Sequence, residues 1–143
     1  MDNDTVGLLK EINSGCKSAV NGISQTLPYV KDDKLKSTMT NEKRLHEQIG
    51  NRCHDLLNSL GADEKDPHAA AKAFAWIGTE AKLAINSSSS EIACIMADGC
   101  NMGIKSLAKY LNQYKAADDE SRRLAASLIN TEEKFYKDML VYL

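Results

Sequence analysis

The sequence predicts an all-α fold, a bundle of four long helices with one shorter connecting helix, and three observations carry that prediction. Ala, Leu, Lys, Glu and Ser dominate the 143 residues, while Pro occurs twice, Gly eight times and aromatics make up 6 %. That composition suits helices better than a sheet sandwich. Apolar residues also recur every three or four positions through four separate stretches, the period of one helical face. The stretches are matched in length, each roughly 35–42 Å at about 1.5 Å per residue, and matched helices with narrow apolar seams pack as a bundle. With 43 % apolar and 27 % charged residues, the chain is neither disordered nor collagen-like. Its length is about one domain's worth, so residues 1–143 are expected to share one core as one helical-bundle domain.

The first helix is predicted over Thr5 to Leu27, where Val6, Leu9, Ile12, Cys16, Val20, Ile23 and Leu27 share a face. Asp4 is placed to cap it and Pro28 to end it. The second runs from about Asp33 to Leu60, with Leu35, Met39, Glu42, His46, Ile49, Cys53, Leu56 and Leu60 in strict 4-3 alternation as an inward seam. Gly61 stops it and a polar loop follows to Asp66. Asp66 as cap and Pro67 in the first turn then open a shorter, Ala-rich helix over about 67–85, carrying Phe74, Trp76 and Ile77. It serves either as a crossover along the bundle or as a lid on its end. Ser88 with Glu91 forms a capping-box pattern for a helix from about Ser89 to Tyr114, with Ile92, Ile95, Met96, Gly99, Met102, Gly103, Leu107 and Tyr110 on its apolar side. The last helix starts at Asp118-Asp119-Glu120, acids suited to the positive end of a helix dipole, and turns Leu124, Leu128, Glu132, Phe135, Met139 and Tyr142 inward. Residues 12–16 and 96–100 align, as do Val20/Ile104, Ile23/Leu107 and Leu27/Leu111, all at an offset of 84. The first and fourth predicted helices are therefore expected to be pseudo-equivalent.

A formal charge of −2, with little segregation of sign, leaves no basic stripe to neutralise phosphates, so nucleic acid is not an expected partner. The acidic, amphipathic start is unlike a secretory signal. No apolar run approaches the roughly 20 residues that span a bilayer, so no membrane partner is expected and a cytoplasmic location is. Cys16, Cys53, Cys94 and Cys100 fit no CxxC pair or zinc-ribbon spacing. All four fall in predicted helices, where they are expected as buried, reduced thiols.

Residues 8–16 (Leu-Leu-Lys-Glu-Ile-Asn-Ser-Gly-Cys), 56–63 (Leu-Leu-Asn-Ser-Leu-Gly-Ala-Asp), 75–78 (Ala-Trp-Ile-Gly) and 97–105 (Ala-Asp-Gly-Cys-Asn-Met-Gly-Ile-Lys), in this order of elements, resemble small bacterial ferritin-like four-helix-bundle proteins of uncharacterised function. The resemblance covers nearly the whole chain and implies a ferritin-like bundle. Ferritin-like di-iron sites take a Glu from each of two helices and a Glu-x-x-His pair from each of the others. The resemblance also implies where this chain departs, because the residue after the Gly in the first and fourth helices is often Glu in that family and is Cys16 and Cys100 here. Glu42 and His46 are spaced i,i+4 rather than i,i+3, and Glu132 is followed by Phe135 where a His would be needed. The ligand set is broken in all four helices.

Glu42 and His46 are the most informative residues, since a carboxylate on an inward seam needs a partner. They are expected to form a buried polar pair, bonded to each other, to water or to Glu132, that fixes helix register. The alternatives are a remnant single-metal site of Glu42, His46 and Glu132, perhaps with Cys16 or Cys100, or a stripe shifted to Leu45, Ile49 and Leu56 that leaves Glu42 and His46 wet. His54 is adjacent to Cys53 and points about 100° away, so the two are no nucleophile and base. His54 and Asp98 are expected in solvent, His68 at a helix start, and Met39, Met96, Met102 and Met139 as core filler. Gly99 and Gly103 are expected to allow close helix packing. No hydrolase elbow, phosphate loop or His-Glu-x-x-His is present. The expected function is thus a non-enzymatic ferritin-like bundle, with no cofactor and its metal-ligand set degenerate, acting through its surface as a homo-oligomer or partner-binding module. The alternative is a ferritin-like oxidoreductase or storage protein binding iron, manganese or zinc.

Overall fold

A computed structural model describes residues 3–63 and 88–143 of the chain, and all statements of structure below concern these. They form four helices and no strand: α1 (Asn3–Thr26), α2 (Asp33–Ser59), α3 (Ser89–Gln113) and α4 (Asp119–Leu140), with a single tight helical turn at Leu27–Tyr29. The shorter helix expected over 67–85, with His68, lies outside the described residues.

The helix boundaries follow from local chemistry. Pro28 cannot donate to a continuing helix, and α1 gives way to the tight turn one residue earlier. Asp32, Ser88 and Asp118 each accept a hydrogen bond from the backbone N–H three residues on, at 2.8, 3.3 and 2.8 Å, capping α2, α3 and α4. Gly61 adopts φ +66°, the left-handed conformation that ends α2 without a Cβ penalty. Asp4 departs from its expected capping role: α1 already includes Asn3, and the Asp4 carboxylate accepts from the Ala116 N–H at 2.9 Å. Thr5 Oγ1 likewise accepts from the Asp118 N–H at 2.9 Å, so the start of α1 is tied to the α3–α4 connection.

These ties fix the directions. α1 and α2 form one antiparallel hairpin and α3 and α4 another, and these are the two most extensive pairings. The start of α1, the end of α2 and the α3–α4 connection share one end, so α2 and α3 run parallel. Contacts of α1 with α3, α1 with α4 and α2 with α4 join the hairpins. The interior has two apolar clusters. Ile23, Leu35, Met39, Ile92, Phe135 and Met139 fill the end near the α1–α2 connection, and Leu8, Leu9, Ile12, Cys53, Leu57 and Leu128 fill the other. Glu42, His46 and Glu132 lie between them along α2 and α4, all buried.

Along α2 the buried positions are Leu35, Met39, Glu42, His46, Gly50, Cys53 and Leu57. The seam therefore moves by one residue past His46, to Gly50 instead of Ile49 and to Leu57 instead of Leu56. The packing there is close, because a Cβ on Gly50 would stand 3.2 Å from Cys16 Cβ on α1 and the neighbour would have to give way slightly. The shifted stripe through Leu45 is ruled out, since Glu42 and His46 are each 1 % exposed. Two further expectations are corrected. Met102 is 52 % exposed rather than core filler, and Cys94 is exposed while the other three cysteines are buried and free. Cys94 lies two residues from both Ile92 and Met96, about 200° around the helix from each, and so faces out.

Candidate functional site: a buried histidine between two carboxylates

His46 joins α2 to α4. Its Nδ1 lies 2.7 Å from the Glu42 carbonyl oxygen one turn back, and its Nε2 lies 2.6 Å from Glu132 Oε1. A carbonyl only accepts, so Nδ1 carries a proton, and the Glu132 bond is made by the other nitrogen. Burial disfavours the imidazolium, but the Glu132 hydrogen bond and the charges of Glu132 and Glu42 outweigh it and hold His46 above its ordinary pKa. His46 therefore donates from both nitrogens, one bond holding it to its own helix and the other crossing to α4. A ring fixed at both nitrogens sets the register of α2 against α4.

Glu42 differs. Its Oε2 is buried, has no hydrogen-bond partner among the described residues, and stands 4.0 Å from His46 Nδ1. Burial raises its pKa to about 7, with His46 and Lys134 opposing and Glu132 and Asp138 adding to the rise. The Cys100 thiol on α3 is pushed up by burial first and by the Glu132 carboxylate second. Burial likewise raises Cys16, with Cys53 and Glu132 contributing, and takes Cys53 to about 12. The three thiols are neutral and unreactive at physiological pH. The sequence placed Cys16 and Cys100 at echoing positions, and the structure buries both around this layer.

Both Glu42 and His46 bind protons more tightly in the folded chain than in the unfolded one. Their contribution to stability is therefore fully present below pH 4.5 for Glu42 and 6.5 for His46, and is lost as pH rises through the folded values. Stability should fall between pH 5 and 8, by up to a few kcal/mol for a shift of this size in Glu42. Urea titrations at a series of pH values read this directly. Glu42→Gln is expected to flatten the slope and to be the more stable protein at pH 8. An unchanged slope would show that Glu42 is not the group responsible.

The layer is reachable from outside. A cavity of about 250 Å³ opens between α1 and α3 and ends on His46, Cys100 and Glu132. A more open groove of about 600 Å³ between α1 and α2 reaches His46 from another side, past Lys17, Glu47 and His54. The sequence identified the three polar residues, but the openings come from small residues on helix faces, which apolar periodicity does not detect. Asp98 is exposed, as expected, and the exposed His54 bonds Asn58 at 3.1 Å, away from the site. In comparisons with known proteins, no family model, no curated protein and no solved structure matches this chain.

Proposed function

We propose that this chain is a ferritin-like bundle, similar to the small bacterial proteins its motifs resemble, whose polar layer is architectural. In this reading it is not an enzyme and acts through its surface, as a homo-oligomer or as a partner-binding module in the cytoplasm. Two antiparallel hairpins with α2 and α3 parallel support the ferritin-like assignment, being the arrangement of bundles with one long crossover. The observation that carries the surface reading is the set of apolar side chains at one end of the bundle. Tyr29 is 37 %, Leu140 43 %, Val141 76 % and Leu143 59 % exposed there. An apolar grouping of this kind, open to water, is characteristic of contact surfaces. Light scattering coupled to size exclusion tests it: the wild-type chain is expected to self-associate with rising concentration, and Val141→Asp with Leu143→Asp to give a monomer of unchanged helicity. A wild-type monomer at every concentration would contradict self-association.

The unpartnered Glu42 Oε2 favours a second reading, a bound iron, manganese or zinc ion held by Glu42, His46 and Glu132. As they stand, these residues do not fit one. Both ring nitrogens of His46 are engaged, so a metal would have to displace Glu132 from Nε2. Among the described residues no group of three or more His, Cys, Asp or Glu is disposed to hold an ion. The architectural reading takes the geometry as it is.

A further inference from the structure

We infer that the cavity between α1 and α3 is a binding site for a small organic cation, a primary amine carried on a compact apolar body of about one ring. Its walls set the body. Ile23, Met96, Leu107, Leu128 and Phe135 supply apolar surface, and its volume of about 250 Å³ exceeds the roughly 150 Å³ apolar cavity known to accept benzene in another protein. That leaves room for a ring and a short chain.

The floor sets the head group. Glu132 and His46 are the charged side chains lining the cavity, and no Lys or Arg is among the described residues that do so. His46 has no free nitrogen, because Nδ1 is bonded to the Glu42 carbonyl and Nε2 to Glu132. What the floor has left to offer is therefore acceptor capacity. A carboxylate provides about four lone-pair positions, and His46 occupies one. Gly103 leaves this carboxylate uncovered: a Cβ there would stand 3.4–3.5 Å from the carboxyl carbon and both oxygens of Glu132. An anion entering here would meet the Glu132 carboxylate, and the cation beside it, His46, has both nitrogens engaged. An ammonium would donate to Glu132, itself only 7 % exposed, and a charge-assisted hydrogen bond of that kind is strong.

Gly99 makes the inference testable without disturbing the polar layer. It lines the cavity, and a Cβ built on it meets nothing within 4 Å. Gly99→Leu is thus expected to fill the mouth while the helix gains a better former. The probe is 2-phenylethylamine, titrated into the full chain and followed by backbone amide resonances, with 2-phenylethanol and 3-phenylpropionate as matched neutral and anionic bodies. The amine should give saturable shifts centred on Gly99, Gly103 and Ser18. The alcohol should bind at least about tenfold more weakly, about 1.4 kcal/mol, and the acid should not saturate. Gly99→Leu should abolish amine binding, and Glu132→Gln should bring it to the level of the alcohol. No saturable amine binding, shifts centred elsewhere, an acid that binds as well as the amine, or amine affinity unchanged by Gly99→Leu would each overturn the inference. Gly99→Leu decides the matter even if Glu132→Gln fails to fold.

Discussion

Glu132→Ala is expected to cost about 3 kcal/mol or more of unfolding free energy, the usual penalty for removing one partner of a buried charged pair, and to lower Tm by roughly 10 °C for a chain of this size. The reason is the position of His46. At 1 % exposure the ring makes almost no contact with bulk water, so little compensates for the lost carboxylate. It must either stay charged without a counter-ion or give up the proton that the folded state favours. The companion experiment separates pairing from burial. His46→Leu with Glu132→Leu replaces the pair by apolar groups of similar bulk, a change that is often neutral or stabilising, so the double variant should lie much closer to wild type than Glu132→Ala does. Urea unfolding of the single and double variants gives the coupling, expected at about 2 kcal/mol or more for groups in direct contact. Additive effects would mean that the 2.6 Å bond between α2 and α4 contributes little.

Leu35→Ala should produce a loss of similar size for a different reason. Leu35 is fully buried in the cluster it forms with Ile23, Met39, Ile92, Phe135 and Met139, and truncating a Leu in such a place typically costs about 2–5 kcal/mol through lost burial and a residual cavity. The variant should unfold cooperatively at lower denaturant with an unchanged m-value, since the surface exposed on unfolding is nearly the same. Val141→Ala, at 76 % exposure, is the control and should stay within about 0.5 kcal/mol of wild type. Equal effects at the two positions would contradict the placement of the core.

Much of this was legible in the sequence because helices announce themselves locally. Pro28, Ser88, Gly61 and Asp118 act on backbone groups within a few residues, so the helix ends they mark fall within a residue or two of where those signals put them. Glu42, His46 and Glu132 stood out for the same kind of reason, as polar residues on otherwise apolar faces. What the sequence misplaced depends on geometry between helices. A strict 4-3 alternation repeats every 3.5 residues, whereas a straight α-helix turns once in 3.6, so a face drifts by about 20° per heptad. Over the length of α2 that drift carries the seam from Ile49 to Gly50, and the sequence gives no sign that Cys16 of α1 would press against that point. Met102 sits on the apolar side of α3, but the facing part of α1 presents Ser14, Gly15, Ser18 and Gly22. No large side chain reaches across, and Met102 stays in water. The same small residues open the cavity onto Glu132, a feature that belongs to neither helix alone.

The claim that the polar layer is architectural is tested most directly by elemental analysis of the untagged protein and of Glu42→Ala, after exposure to iron, manganese and zinc and removal of loosely bound ions. If His46 is committed to the Glu42 carbonyl and to Glu132, metal content should be well below one ion per chain and the same in both proteins. One ion per chain in the wild type, lost on Glu42→Ala, would contradict that claim and show that Glu42, His46 and Glu132 form a metal site.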